Sequence, residues 1–506
     1  MSADLSLYQT LRKYAAGDVY PCHMPGHKRN PEGGEMAGFF GIDITEIEGF
    51  DNLHHAEGIL REAQERANCL YGADETFFLV NGSTAGILAA VMAAARPGEE
   101  ILIARNCHRS VYHAALMQDL KVHYYRPKMI QEYDICDGVS AEEIGRLLDD
   151  HPAIKAVVIT SPTYEGIISN VAKIAAAVHE RDKILIVDEA HGAHLDPLIG
   201  GAVAAGADLV IHSLHKTLPS LTQTALLHVN GGRVNRDRLH GYLAMVQSSS
   251  PSYILMAGMD ACVRFLEKEG KERFAFFRVQ RENFLKKTEN LRYLSIGEMT
   301  DLSQNGYALL DWDMGKILIS VKDAGMTGKQ LSDMLRDDYH MELEMAAATY
   351  GLALMTWMDT AEGWQRLADA LLLIDDRIEK ERSGQTRRLI KAAKEGMLQE
   401  SGPAGEWPQG TARAAAGLPR TVMTLAQAFH SEHEEVLIKE AADRISADFI
   451  NLYPPGIPLA VPGEKLTKML LDHIAENVRK GFTVQGLSAA GKVSVVVEIP
   501  EKIWHY

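Results

Sequence analysis

Apolar and polar residues alternate along this chain in two rhythms. Short apolar runs at 76–80, 100–104, 156–160, 184–188, 209–212 and 225–229 have the length and content of buried strands. Between several of them apolar residues return at i, i+3, i+4 and i+7, as at Val171, Ile174, Ala175 and Val178, which is the spacing of one helix face. Strand and helix in alternation predict an α/β fold whose mostly parallel sheet is covered on both faces. Sheets of that kind receive ligands at the carboxyl ends of their strands.

The pattern also divides the rest of the chain. Residues 1–60, rich in Gly, His, Pro and acids, are expected as an N-terminal arm with loops, not as a packed unit. Residues 61–290 form the large α/β domain, which closes with one charged amphipathic helix over 260–290. A smaller α+β domain is expected over 291–380, with strands at 307–310 and 316–320. Residues 381–416 read as a long surface helix and linker, and 417–506 as a compact C-terminal domain. No internal repeat or low-complexity tract interrupts this.

With 506 residues, two to four domains are the prior, and 46% hydrophobic against 24% charged residues describes a globular chain. A net charge of -16 argues against nucleic acid or an anionic membrane as partner, and is compatible with basic substrates. Cys22, Cys69, Cys107, Cys136 and Cys262 show no CxxC spacing, so reduced thiols in a cytoplasmic protein are expected, without disulfides or zinc. Met1–Leu5 lacks the basic segment and apolar core of a signal peptide. No apolar run reaches the ~18 residues that a membrane-spanning helix needs.

Two side chains concentrate the chemistry. Lys216 lies in Ser213-Leu214-His215-Lys216-Thr217, and Asp188 ends the apolar run Lys183-Ile184-Leu185-Ile186-Val187. A Lys amine forms a Schiff base with an aldehyde, and the usual biological aldehyde is pyridoxal 5′-phosphate (PLP). A carboxylate at the end of a buried strand needs a partner, and a protonated pyridine nitrogen supplies one. The ordinary alternatives are an Asp capping a turn and a solvated Lys. The apolar neighbours Leu214, Leu218 and Leu221 instead favour a depressed lysine pKa and a reactive amine.

Further groups surround this pair. Leu79-Val80-Asn81-Gly82-Ser83-Thr84 runs from strand through a tight turn into a helix, whose free N–H groups suit a phosphate. Ser83 and Thr84 add hydroxyls, and Ser213 and His215 are placed to reach the same anion; the alternative is a plain helix cap. His108, after another strand end, is a candidate to stack on the cofactor ring. His191 and His194 offer metal-ligand chemistry, but no Cys or third His has suitable spacing, so no metal is expected.

These segments together resemble the Orn/Lys/Arg decarboxylase family of fold-type I PLP enzymes. The resemblance runs from His23-Met24-Pro25-Gly26-His27-Lys28 and Asp43-Ile44-Thr45-Glu46 through Asn81-Gly82-Ser83-Thr84 and Asn106-Cys107-His108-Arg109-Ser110. It continues through Asp188-Glu189-Ala190-His191-Gly192-Ala193-His194 and Ser213-Leu214-His215-Lys216-Thr217-Leu218 to Tyr453-Pro454-Pro455-Gly456-Ile457-Pro458 and Pro462-Gly463-Glu464. It implies a large domain with a mostly parallel seven-stranded sheet, a smaller α+β domain and a C-terminal domain. It also implies Lys216 as Schiff-base lysine, Asp188 on the pyridine nitrogen, His108 on the ring, and Ser83, Thr84, Ser213 and His215 on the phosphate. His191 lies beside the cofactor where some members carry another aromatic residue. The chain departs from the family at Pro219, where many members have a small hydroxyl residue or Ala. It also begins directly at the arm, without the wing domain of longer members, which favours a homodimer or small multiple of dimers with shared active sites.

The implied reaction is decarboxylation of a basic amino acid, arginine first, then lysine, then ornithine. Glu464, and Asp43, Glu46 and Asp51 in the arm, are candidates for the substrate's distal cation; the alternative is that they cap turns or pair with surface cations. Two rival readings are an aminotransferase on the same fold and a non-catalytic regulatory homologue.

Overall fold

The computed structural model describes residues 5–299, 302, 306–394, 419–453, 457–479, 481 and 483–497. Seven strands form the main sheet: β1 (Glu75–Leu79), β2 (Glu100–Ala104), β3 (Lys121–Tyr125), β4 (Ile154–Thr160), β5 (Ile184–Asp188), β6 (Leu209–Ser213) and β7 (Ala225–Val229). Their order is β1-β7-β6-β5-β4-β2-β3, parallel throughout except for β7, which runs against both neighbours. The central strands are Val/Ile/Leu runs buried on both faces, as helix-covered parallel strands must be. The sequence pattern did not reveal β3. As an edge strand it leaves Lys121 exposed and Val122, His123 and Tyr124 half-buried, so its apolar signal is diluted.

Helix α1 (Gly82–Ala94) is apolar on every side and accordingly buried, packed on the sheet and between its neighbours. Helix α2 (Arg109–Met117) follows β2, and α3 (Val171–His179) buries Val171, Ile174, Ala175 and Val178, the four residues whose spacing predicts it. A 36-residue helix, α4 (Tyr253–Thr288), leads to a second sheet of β8 (Ser295–Ile296), β9 (Lys316–Ser320), β10 (Met345–Ala346) and β11 (Tyr350–Leu354), in the antiparallel order β8-β9-β11-β10. Helix α5 (Gly328–Tyr339) packs on this sheet, and α6 (Ala361–Lys394) packs along α4. The expected linker beyond Lys394 and the Pro454–Gly456 part of the tail motif lie outside the described residues.

The arm corrects the expectation of an unpacked segment. Its helix Leu7–Ala15 is closed by a Ser6/Gln9 capping box, and Leu7 and Leu11 are buried in the same core as α4. The Leu7 amide also donates to Asp260 on α4 at 2.8 Å. Asp51 likewise proves structural. With φ +69° it turns the chain, and its carboxylate accepts from the amides of Asn52, Glu57, Gly58 and Leu60 at the start of helix Ile59–Tyr71. Those donors hold its pKa below the usual value against the opposing pull of burial.

Candidate active site

The carboxyl ends of the strands gather the chemistry. Asp188 ends β5, Ser213 ends β6, His108 follows β2, and β1 leads into Gly82. The register explains one contact directly. Leu79 of β1 lies opposite Ala225, and Ala225 opposite Ser213, so the ends of β1 and β6 share one edge of the sheet. There Ser83 Oγ and Ser213 Oγ are 2.6 Å apart. Gly82 makes the turn at φ +72°. Asn81 Oδ1 accepts from the Ser248 amide at 3.2 Å, and no side chain caps α1. The free amides of α1, the two serines and the exposed Thr84 therefore form an anion cradle. His215 Nδ1–H donates to the Thr224 carbonyl at 3.1 Å, which leaves Nε2 as its other polar atom.

Asp188 is 3% exposed. One of its oxygens accepts from the Ala190 amide at 3.2 Å, and no cation touches it among the described residues. Burial raises its pKa, and the positive charge of Lys216 opposes that rise. Lys216 is half-buried on the short helix Leu214–Thr217; burial lowers its pKa, and Asp188 and Glu344 pull the other way. The two groups thus sense one another without contact. A buried carboxylate and an amine separated in this way fit opposite ends of one heterocycle, with the anion cradle for its phosphate. His108 is the N-cap of α2, and its Nδ1 accepts from the Ser110 amide at 3.3 Å. Burial, aided by the charge of Lys216, pushes its pKa down to about 4.

Three contributors escaped sequence reasoning. Lys316, at the start of β9, is 2% exposed and lies 3.0 Å from His191 Nδ1, while Lys216 lies 3.0 Å from His191 Nε2. Tyr164 sets its ring edge-on to His191 at 4.7 Å and under the Lys316 ammonium at 5.2 Å, and its hydroxyl donates to Glu344. Glu344 is an exposed carboxylate within electrostatic reach of both lysines. The available signal is Lys316 itself, a charged residue opening the apolar run Ile317-Leu318-Ile319.

Behind Asp188 runs a buried polar chain. Thr76 donates to His228 Nδ1 (2.7 Å), His228 Nε2 to His212 Nδ1 (3.0 Å), and His212 Nε2 to Glu189 (2.8 Å). Each imidazole in this chain is neutral, with one tautomer satisfying both of its neighbours. Glu189, Asp196 and His212 bring ligand-type atoms within 4.8 Å of one another. Burial and the nearby charge of Asp196 push the Glu189 pKa well above its usual value. His194 pairs with Asp313 at 3.2 Å.

The carboxylates expected to meet substrate are dispersed. Asp43 pairs with His27 at 3.2 Å. Glu46 has a buried Oε1 with no hydrogen-bond partner. Glu464 is fully buried, and its Oε2 accepts from Arg105 Nη2 at 2.8 Å. Arg105 thus engages one of its oxygens, while its Oε1 is buried without a hydrogen-bond partner among the described residues.

Comparison with known proteins places the chain in a family. The family model for the Orn/Lys/Arg decarboxylase major domain matches residues 6–304, and that for the C-terminal domain matches 409–482. The arginine decarboxylase of Bacillus subtilis (strain 168) is 32% identical, over 95% of this chain and 95% of its own. That of Bacillus anthracis is 33% identical, over 95% and 94%. Among solved structures, the lysine decarboxylase of Francisella novicida superposes with a TM-score of 0.80 at 21% identity, covering 97% of this chain and 80% of that one.

Proposed function

Since the chain belongs to the Orn/Lys/Arg decarboxylase family, we propose that it removes the α-carboxylate of a basic L-amino acid as CO2 with the help of PLP, arginine being the first substrate, then lysine, then ornithine. One observation carries this reading: a buried Asp188, met by no cation among the described residues and set apart from the Lys216 amine at the carboxyl edge of the sheet. When bound, PLP supplies an aldehyde for attachment and an electron-withdrawing ring that accepts the electron pair left behind by CO2.

The chain's own residues do the rest. Ser83, Thr84, Ser213 and His215, with the start of α1, bind the phosphate and so fix the site's register. Asp188 holds a proton at the pyridine nitrogen. His108 would cover one face of the bound group and keep water from it, while His191 borders the site beside Lys216. Lys216 provides the amine for attachment and afterwards returns a proton to Cα. Glu344 is our candidate for the distal cation of the substrate, because it is exposed, carboxylate-bearing and in reach of Lys216. Glu46, with its unpartnered Oε1, is the arm's best candidate, since Asp43 is held by His27; Glu464 keeps an unpartnered Oε1 beside its pairing with Arg105. A homodimer or dimer-based assembly with shared sites is supported by exposed apolar residues of the arm, Tyr20, Met24, Met36 and Phe39. Sedimentation of the active enzyme as a monomer would contradict that assembly. Among the described residues no helix is long and apolar enough to cross a membrane, and a cytoplasmic setting is part of the proposal.

The test is a panel of arginine, lysine and ornithine with both products identified. Release of CO2 together with agmatine, cadaverine or putrescine supports the reading. Transfer of the amino group to a keto acid points to the aminotransferase alternative. A colourless protein even after added PLP points to the regulatory homologue.

A further inference from the structure

Where the helix carrying Lys216 meets the second sheet, His194, Thr217 and Asp313 line one small cavity, each of them more than nine-tenths buried. His194 Nε2 lies 3.2 Å from Asp313 Oδ1, and that oxygen also accepts from the Gly315 amide at 2.9 Å. The remaining polar atoms, His194 Nδ1, Asp313 Oδ2 and Thr217 Oγ1, are buried with no hydrogen-bond partner among the described residues. Buried polar atoms are nearly always paired, and each one left unmet is costly. Three of them around one cavity call for an occupant that pairs with all three.

Size and chemistry decide what that occupant is. The other walls are mainly apolar, chiefly Phe274 and Phe277 of α4 and Trp357. The space open to the centre of a water-sized sphere is about 10 Å³, which is room for a single water. Only His194 and Asp313 are usual metal ligands, too small a set for a zinc or calcium ion. An apolar occupant leaves all three atoms unmet. Water matches them atom for atom. With Nε2–H donated to Asp313, His194 Nδ1 offers a lone pair. A water gives one hydrogen to that lone pair and the other to Asp313 Oδ2, and it accepts from the Thr217 hydroxyl. Roughly three hydrogen bonds are usual for a buried water. A cationic ring is served equally, because the second lone pair of the water accepts from Nδ1–H.

We propose that this cavity is a binding site for one structural water, which ties Thr217, the residue after Lys216, to Asp313 at the edge of the second sheet. Asp313 sits in a tightly packed turn. The Lys316 amide donates to its carbonyl at 3.0 Å, and the Met355 amide donates to the Gly315 carbonyl at 2.8 Å. A Cβ at Gly315 would lie 2.6 Å from the Met355 carbonyl oxygen, so the turn admits only glycine there. The water thus joins the segment bearing Lys216 to a fixed point of the neighbouring sheet. It needs neither PLP nor substrate, so it stands or falls apart from the proposed function.

A crystal structure of the full-length protein, at a resolution that shows ordered water, tests the site directly. One density peak about 2.7–3.2 Å from His194 Nδ1, Thr217 Oγ1 and Asp313 Oδ2 is expected. No peak overturns the proposal, and so does a peak at the shorter distances of a metal ion, roughly 2.0–2.6 Å. Hydrogen exchange read by mass spectrometry tests the bridge in solution. Thr217→Val keeps the shape and removes the hydroxyl. It should speed exchange of the Gly315 and Lys316 amides, both bonded to Asp313, about tenfold, the scale of one hydrogen bond. Thr217→Ser keeps the hydroxyl and should restore slow exchange. Unchanged exchange in Thr217→Val, or equally fast exchange in Thr217→Ser, overturns the proposal, since Asp313 would then not sense the hydroxyl. If neither variant folds, the density in the wild type decides alone.

Discussion

Asp188 shows how much a single position can decide. A carboxylate that is 3% exposed and touched by no cation among the described residues is costly, unless something positive arrives to meet it. Asp188→Asn keeps the shape and removes the charge. We expect kcat to fall on the order of 10²–10³-fold, the scale seen when one preorganised electrostatic group is lost, with the melting temperature little changed. A variant as active as wild type would remove Asp188 from the mechanism. Glu344→Gln probes the substrate end. Loss of one charge-assisted contact, worth about 1.5–3 kcal/mol, should raise KM for arginine at least tenfold and change kcat much less. An unchanged KM would return the distal cation to another carboxylate. At this scale Asp188 and Lys216 were legible because each sits at the end of an apolar run. Lys316 was not, because a lysine opening a strand looks like any solvated charge until the fold lays it across Gly166.

At the scale of elements, the start of α1 matters most. Asn81 leaves the helix amides uncapped, and the β1–β7–β6 register brings Ser83 and Ser213 together at 2.6 Å. Removing either hydroxyl, as Ser83→Ala or Ser213→Ala, should weaken PLP binding about ten- to a hundredfold, the equivalent of one hydrogen bond to a charged group. Equilibrium dialysis of the cofactor checks this, and unchanged affinity in both variants would deny the cradle its ligand. Six of the seven main strands and the helix over Val171–His179 could be read from periodicity because their residues are buried on the faces the pattern implies. The edge strand β3 escaped, since only Tyr125 of its five residues is fully buried. The arm's helix escaped too: Leu7 and Leu11 are only two apolar anchors, and what buries them is α4, some 250 residues away in the chain.

The molecule as a whole carries a liability in acid. His228 and His191 are buried and held well below their usual pKa of 6.5, chiefly by burial. An unfolded chain binds protons at these positions below 6.5 where the folded chain does not, so stability falls as pH drops through that value. Above it the cost vanishes. Each such imidazole contributes about 1.4 kcal/mol per pH unit in this window. His228→Gln removes one of them, so the stability gap between wild type and variant, measured by urea unfolding, should narrow as pH falls below 6.5. A gap independent of pH would mean that His228 is not held neutral.

Family membership, strand-end geometry and the paired charges all converge on one covalent link. Borohydride reduction of the PLP-loaded chain, followed by peptide mass spectrometry, locates that link without relying on turnover. The account predicts a phosphopyridoxyl mass on the peptide bearing Lys216 and nowhere else. The same mass on Lys316, or on no lysine at all, would contradict it.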